Sequence, residues 1–97
     1  MSDGVVSGGG SAQQANLAKV VETVGRVLAD EPEAVRVVES QHRGMTLLEL
    51  YMAPGDLGRA IGRQGRTAAA IRTLVTVAAE KDGRRVQLEF RDGQAPE

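Results

Sequence analysis

Ile61-Gly62-Arg63-Gln64-Gly65-Arg66 is the stretch that decides how this chain is read. Before it, Asp56-Leu57-Gly58-Arg59-Ala60-Ile61 reads as a short helix; after it, Arg66 to Lys81 reads as a longer one. Between them lies a four-residue turn with glycine at both ends and long polar side chains in the middle. Glycine admits φ > 0 and lacks the Cβ that would keep another backbone at a distance. At the start of a helix, such a turn presents free N–H groups and the positive end of the helix dipole, which suits a phosphate. Arg59, Arg63 and Arg66 surround the same spot with full positive charges. The combination fits the backbone of a polyanion.

Working outward, the flanking elements follow from periodicity. Residues 1–14 are Gly/Ser-rich, with Gly8-Gly9-Gly10-Ser11, and are expected to form a disordered tail. A folded domain is expected over 15–91 and a frayed end over 92–97. Asn16 can cap a helix in which Leu17, Val20, Val21, Val24, Val27 and Leu28 form one apolar stripe, stopped by Asp30-Glu31-Pro32. Val35 to Gln41 is rich in β-branched residues and reads as a strand. His42-Arg43-Gly44 reads as a hairpin loop and Met45 to Met52 as the next strand. Alternation puts Leu48, Leu50 and Met52 on the core face and Leu47, Glu49 and Tyr51 on the other. After the glycine turn, Ile71, Leu74, Val75 and Ala78 form a second helical stripe, with Gly83 as its stop. Arg85 to Arg91 alternates again, with Val86, Leu88 and Phe90 inward.

The resulting order is helix, strand, strand, helix, helix, strand. The last two strands are joined by a crossover long enough for parallel pairing and expected to be right-handed. This predicts an α+β fold of two layers, a three-stranded mixed sheet with three helices on one face.

Composition narrows the functions such a fold can serve. Ninety-seven residues make one small domain, and with 41% apolar residues and only Tyr51 and Phe90 as aromatics, its core must be aliphatic. The absence of cysteine removes disulfides, thiolate metal sites and a Cys nucleophile. No apolar run approaches the ~20 residues of a membrane span, and no signal-peptide pattern opens the chain, so a cytoplasmic location is expected. The net charge is −1, yet it is unevenly spread. Residues 1–52 carry four basic and seven acidic groups, whereas 53–85 carry seven basic and three acidic. A local positive field in a nearly neutral chain points to a confined contact with nucleic acid. Neither G-x-x-x-x-G-K-[ST] nor G-x-G-x-x-G occurs, His42 has no evident nucleophile partner, and Asp56 and Glu80 read as helix-end residues. No catalytic constellation, metal site or cofactor is expected.

Helix, Gly-x-x-Gly, helix is the signature of the KH domain, whose loop clamps the backbone of a short single-stranded segment. The run from Pro54 to Ala68, with Pro32, Val35, Val37, Ile71-Arg72-Thr73-Leu74 and Gly83-Arg84-Arg85-Val86, resembles the KhpA family of small bacterial single-KH proteins over roughly residues 16–90. The element order matches the type II KH arrangement. The resemblance implies single-stranded RNA as ligand and a role as RNA chaperone or post-transcriptional regulator. It also implies a homodimer, or a heterodimer with a larger Jag-type KH protein, with no membrane partner.

The expected RNA-binding residues are Gly58, Arg59, Ile61, Gly62, Arg63, Gln64, Gly65, Arg66 and Thr67, with bases directed into a groove lined by Ile61, Ala69 and the first strand. Gly58, inside a short helix, is expected to permit close packing or backbone approach. Arg72, Lys81 and Arg84 read as solvating helix faces, and His42 and Arg43 as a plain exposed turn at the border of the groove. A rival reading makes the domain a protein-association adaptor in which RNA contact is incidental. An exposed Leu47/Tyr51 face is its support.

Overall fold

The computed structural model describes residues 16–96; the expected N-terminal tail lies outside them. In chain order the elements are α1 (Leu17–Leu28), β1 (Arg36–His42), β2 (Met45–Met52), α2 (Pro54–Ile61), α3 (Arg66–Lys81) and β3 (Arg85–Asp92). The sheet order is β1-β2-β3. β1 pairs antiparallel with β2, from Arg36 opposite Tyr51 to His42 opposite Met45. β3 pairs parallel with β2, from Met45 beside Arg85 to Met52 beside Asp92. The α+β architecture and the type II element order are those read from the sequence.

Several local signals act as expected. The Asn16 side chain accepts a hydrogen bond from the Lys19 N–H at 3.1 Å, capping α1. At the end of α3, Arg84 N–H donates to Ala79 O and Gly83 N–H to Glu80 O, the paired bonds of a Schellman cap. Pro32 opens a short 3-10 turn, Pro32–Ala34, that delivers the buried Val35 to the core one residue before β1 begins. The hairpin is tighter than a three-residue loop. His42 and Met45 pair directly, so only Arg43 and Gly44 turn, with φ of 54° and 78°. Two successive positive φ values match the right-handed twist of the flanking strands.

The core lies on one face of the sheet. Leu48, Leu50 and Met52 are fully buried there with Val21 of α1 and Val35, each worth about 1.5–3 kcal/mol of apolar burial. The helices meet this layer through unexpectedly small residues. In α1 the buried positions are Leu17, Val21 and Gly25, and a Cβ on Gly25 would stand 3.1 Å from both Leu50 and Val35. In α3 they are Ala68, Val75 and Ala79. The large aliphatics assigned to the two stripes are therefore partly turned outward: Val27 is 78% exposed and Leu74 71%, with Val20 about half; Val77, outside the stripes, is half exposed too.

The opposite sheet face also departs from expectation. Tyr51 is 9% exposed, and Leu47 is half-buried. The register sets Arg36 and Arg91 on either side of Tyr51, where their methylene stems can lie along the ring. The open apolar face proposed for Leu47 and Tyr51 is absent.

Candidate nucleic-acid interface

The site is built between the two ends of α2. At the N-terminal end Pro54 occupies the first helical position, where its missing N–H costs nothing. Asp56 in the first turn is buried. Its Oδ1 accepts the Asp30 N–H at 3.0 Å and its Oδ2 accepts the Glu31 N–H at 2.9 Å, tying α2 to the segment that leaves α1. Those two backbone donors, helped by the Arg59 charge, hold the Asp56 carboxyl below its ordinary value despite desolvation. Arg59 Nη1 lies 2.7 Å from Asp30 Oδ1 and 3.8 Å from Asp56 Oδ1. The hydrogen bond to Asp30 raises the Arg59 pKa.

At the C-terminal end α2 stops at Gly62, whose φ of 78° and ψ of 174° belong to a region open essentially to glycine alone. Space enforces the same choice, because a Cβ there would come within 2.8 Å of the Thr67 Cβ and closer still to its Oγ1. Thr67, in the first turn of α3, thus packs over the bare face of Gly62. Gln64 (φ 57°, ψ 24°) and Gly65 (φ 71°, ψ 14°) follow in the left-handed region.

The turn uses part of its own donor supply. Gly62 N–H donates to Gly58 O, Gly65 N–H to Gly62 O and Arg66 N–H to Arg63 O. Of the five N–H groups from Gly62 to Arg66, those of Arg63 and Gln64 are left for a ligand. The side chains of Arg63, Gln64 and Arg66 are exposed, while Ile61 and Thr67 are half-buried at the base. Arg66 folds back, its Nε 3.5 Å from Arg63 O. Gly58 is exposed, and a Cβ there would meet nothing within 4 Å. Close packing within the protein is therefore not its role.

The groove differs from the one expected. β3, not β1, stands beside α3, because β2 separates β1 from it. Between α3 and β3 lies a cleft of about 370 Å³, lined by Arg72, Thr76, Glu80, Arg84, Arg85 and Leu88 among others. Arg72 does more than solvate a helix face. Its Nε donates to Leu88 O at 3.2 Å, and its guanidinium carbon lies 5.1 Å from the Phe90 ring centroid. Ala69, Arg72, Thr76 and Glu80 recur at spacings of three and four, one row along α3 that runs from the turn into the cleft. That spacing, with Phe90 on the inward parity of the last strand, was the available signal for Arg72. Among the described residues no cluster of three or more His, Cys, Asp or Glu could hold a metal ion. No helix among them is long and apolar enough to cross a membrane.

Two helices joined by Gly-x-x-Gly, inserted between parallel strands of an αββααβ domain, define a type II KH domain. Comparison with known proteins agrees. The KH domain of KhpA/KhpB matches residues 18–90, and the chain belongs to that family. It is 45% identical over 74 residues to the RNA-binding protein KhpA of Caldanaerobacter subterraneus subsp. tengcongensis, covering 76% of this chain and 99% of the relative. It is 47% identical over 76 residues to that of Leifsonia xyli subsp. xyli, covering 78% and 97%. These relatives are named as binding proteins rather than enzymes. Among solved structures, Era in complex with MgGDPNP and nucleotides 1506–1542 of 16S ribosomal RNA aligns with a TM-score of 0.54 at 22% identity. That alignment covers 84% of this chain and 31% of Era, a likeness of fold alone.

Proposed function

We propose that this protein binds single-stranded RNA in the cytoplasm, with the Gly62–Gly65 turn as a backbone clamp, and acts as an RNA chaperone or post-transcriptional regulator. The observation that carries this reading is the turn itself. Its shape is fixed by two glycines, Thr67 and its own hydrogen bonds, so two N–H groups and the side chains of Arg63, Gln64 and Arg66 remain available. Phosphates lie against those groups, Gly58 leaves room for the backbone to approach, and Ile61 and Thr67 form the apolar base. Arg59 contributes a charge already balanced by Asp30. The names of the relatives support RNA as the ligand. Replacing Arg63 and Gln64 together by Asp is expected to abolish binding of a single-stranded oligonucleotide in fluorescence anisotropy, with the thermal midpoint nearly unchanged because both side chains are exposed. Unchanged affinity in the folded double variant would refute the clamp.

A single groove of this size binds weakly, and pairing two modules raises effective affinity. The adaptor reading has lost its sheet face, but α3 offers Leu74 and Val77, three residues apart and well exposed. We assign this face to self-association, an isologous contact between two copies in which each helix covers the other's. A larger Jag-type KH protein is the alternative occupant. Leu74→Glu is expected to shift the protein to monomer in analytical ultracentrifugation; a persistent dimer would place the contact elsewhere.

A further inference from the structure

Arg72 is the polar residue of the cleft whose bonds change what the cleft can recognise. β3 is an edge strand, since β2 covers only one of its sides. Gly93 N–H donates to Met52 O, so the odd-numbered residues of β3 direct their N–H and C=O groups toward β2. The even-numbered Val86, Leu88 and Phe90 direct theirs outward, past α3. Arg72 meets this edge at one point, with its Nε on the Leu88 carbonyl. No hydrogen bond to Nη1 or Nη2 and no ion pair of Arg72 occurs among the described residues. Four N–H donors on those two nitrogens therefore remain available where the bare edge would have shown an acceptor.

We propose that Arg72 is a specificity-determining residue, converting the Leu88 position of the cleft from acceptor to donor and selecting a base with two adjacent acceptors, guanine or cytosine, over adenine. Guanine carries two adjacent acceptors, O6 and N7, spaced for the guanidinium fork, and cytosine a second such pair in O2 and N3, whereas adenine sets an amino group beside its N7 and N1 that the fork repels. In single-stranded RNA these edges are free to be read. The stack of the guanidinium on Phe90 fixes the plane in which the fork is offered. Position agrees as well: Arg72 follows Arg66 by six residues, ~9 Å along α3, so a base reaches it while neighbouring phosphates rest at the turn. The inference rests on the RNA-binding reading above and adds to it a preferred base.

The test uses full-length protein and four octanucleotides, all uridine or with one central G, A or C, followed by fluorescence anisotropy. The wild-type protein is expected to favour the G and C octamers over the A octamer by about fivefold or more, the lower range for one bidentate base contact. Arg72→Ala is expected to bring those ratios within about twofold while all-uridine binding persists. Should Arg72→Ala fail to fold, Arg72→Lys decides, since lysine keeps the charge and can still reach Leu88 but has no fork. Loss of the preference for G and C over A in Arg72→Lys, with all-uridine affinity retained, supports the proposal. A preference for G and C over A surviving in either folded variant overturns it, and would leave Arg72 as a structural edge cap that affects only melting. Wild-type binding with no base preference also overturns it and leaves the RNA reading intact, whereas no binding to any octamer removes both.

Discussion

The two ends of α2 are held in opposite ways. At the N-terminal end side chains do the holding. Asp56 is buried and gripped by two backbone N–H groups, and Arg59 is paired with Asp30. At the C-terminal end backbone does it: glycine conformations, three short-range N–H bonds and the fit of Thr67 on Gly62 fix the turn. Charged side chains are thus paired with each other or with buried structure at one end, and left without ion-pair partners among the described residues at the other. Arg59 and Arg63 are four residues apart, yet of the two only Arg63 has no ion-pair partner among the described residues.

The largest effect that tests this contrast belongs to Gly62. Gly62→Ala forces an L side chain into φ 78°, ψ 174° and against Thr67. Combining the strain and overpacking costs, it is expected to destabilise the domain by about 2–4 kcal/mol in urea unfolding. Adding Thr67→Gly, which removes both Oγ1 and Cβ, is expected to recover much of the steric part and leave the conformational part, a positive coupling in the double-mutant cycle. A Gly62→Ala protein as stable as wild type would show that the turn is not held by its backbone.

Asp56→Asn probes the other end. Because the folded carboxyl sits below its ordinary value of 3.8, its contribution is present above that value and is lost as pH falls through the lower folded pKa. The thermal midpoint of Asp56→Asn is expected to lie below wild type at neutral pH and to converge on it in acid, with the affinity of the folded variant for RNA unaltered. A constant gap down to low pH would mean that ionisation of the carboxyl held by the Asp30 and Glu31 N–H groups contributes nothing. The smallest effect concerns the arginines. Two phosphate contacts, at Arg63 and Arg66, give a slope of log K against log salt of about −1.4 for a single strand. Arg66→Ala is expected to flatten it by about 0.7, and Arg59→Ala by clearly less. Equal changes at Arg59 and Arg66 would erase the distinction between the two ends.

Much of this was legible in the residues. Element order, the Asn16 cap, the Gly83 stop and the Gly-x-x-Gly turn were written in local chemistry that tertiary contacts did not override. The helix orientations were not. Periodicity in Val and Leu reveals a stripe, but α1 and α3 approach the sheet through Gly25 and Ala79, and close contact at small residues turns Val27 and Leu74 toward solvent. The ion pair of Arg59 was hidden for a related reason. Its partner Asp30 lies 29 positions away, beyond any local pattern, and the same long-range blindness hid the bond from Arg72 to Leu88. The groove wall was assigned to β1 because adjacency in a sheet is not visible from strand order alone.

The self-contained turn has a kinetic consequence. Ordering a flexible loop costs roughly 1–2 kcal/mol per residue, and a binding loop that must first be ordered slows every encounter. Here Gly62 to Gly65 already hold their angles through contacts that no ligand provides. Encounters with different strands should then succeed at similar rates, and discrimination should appear in residence time: wrong strands are released early, and the right one stays.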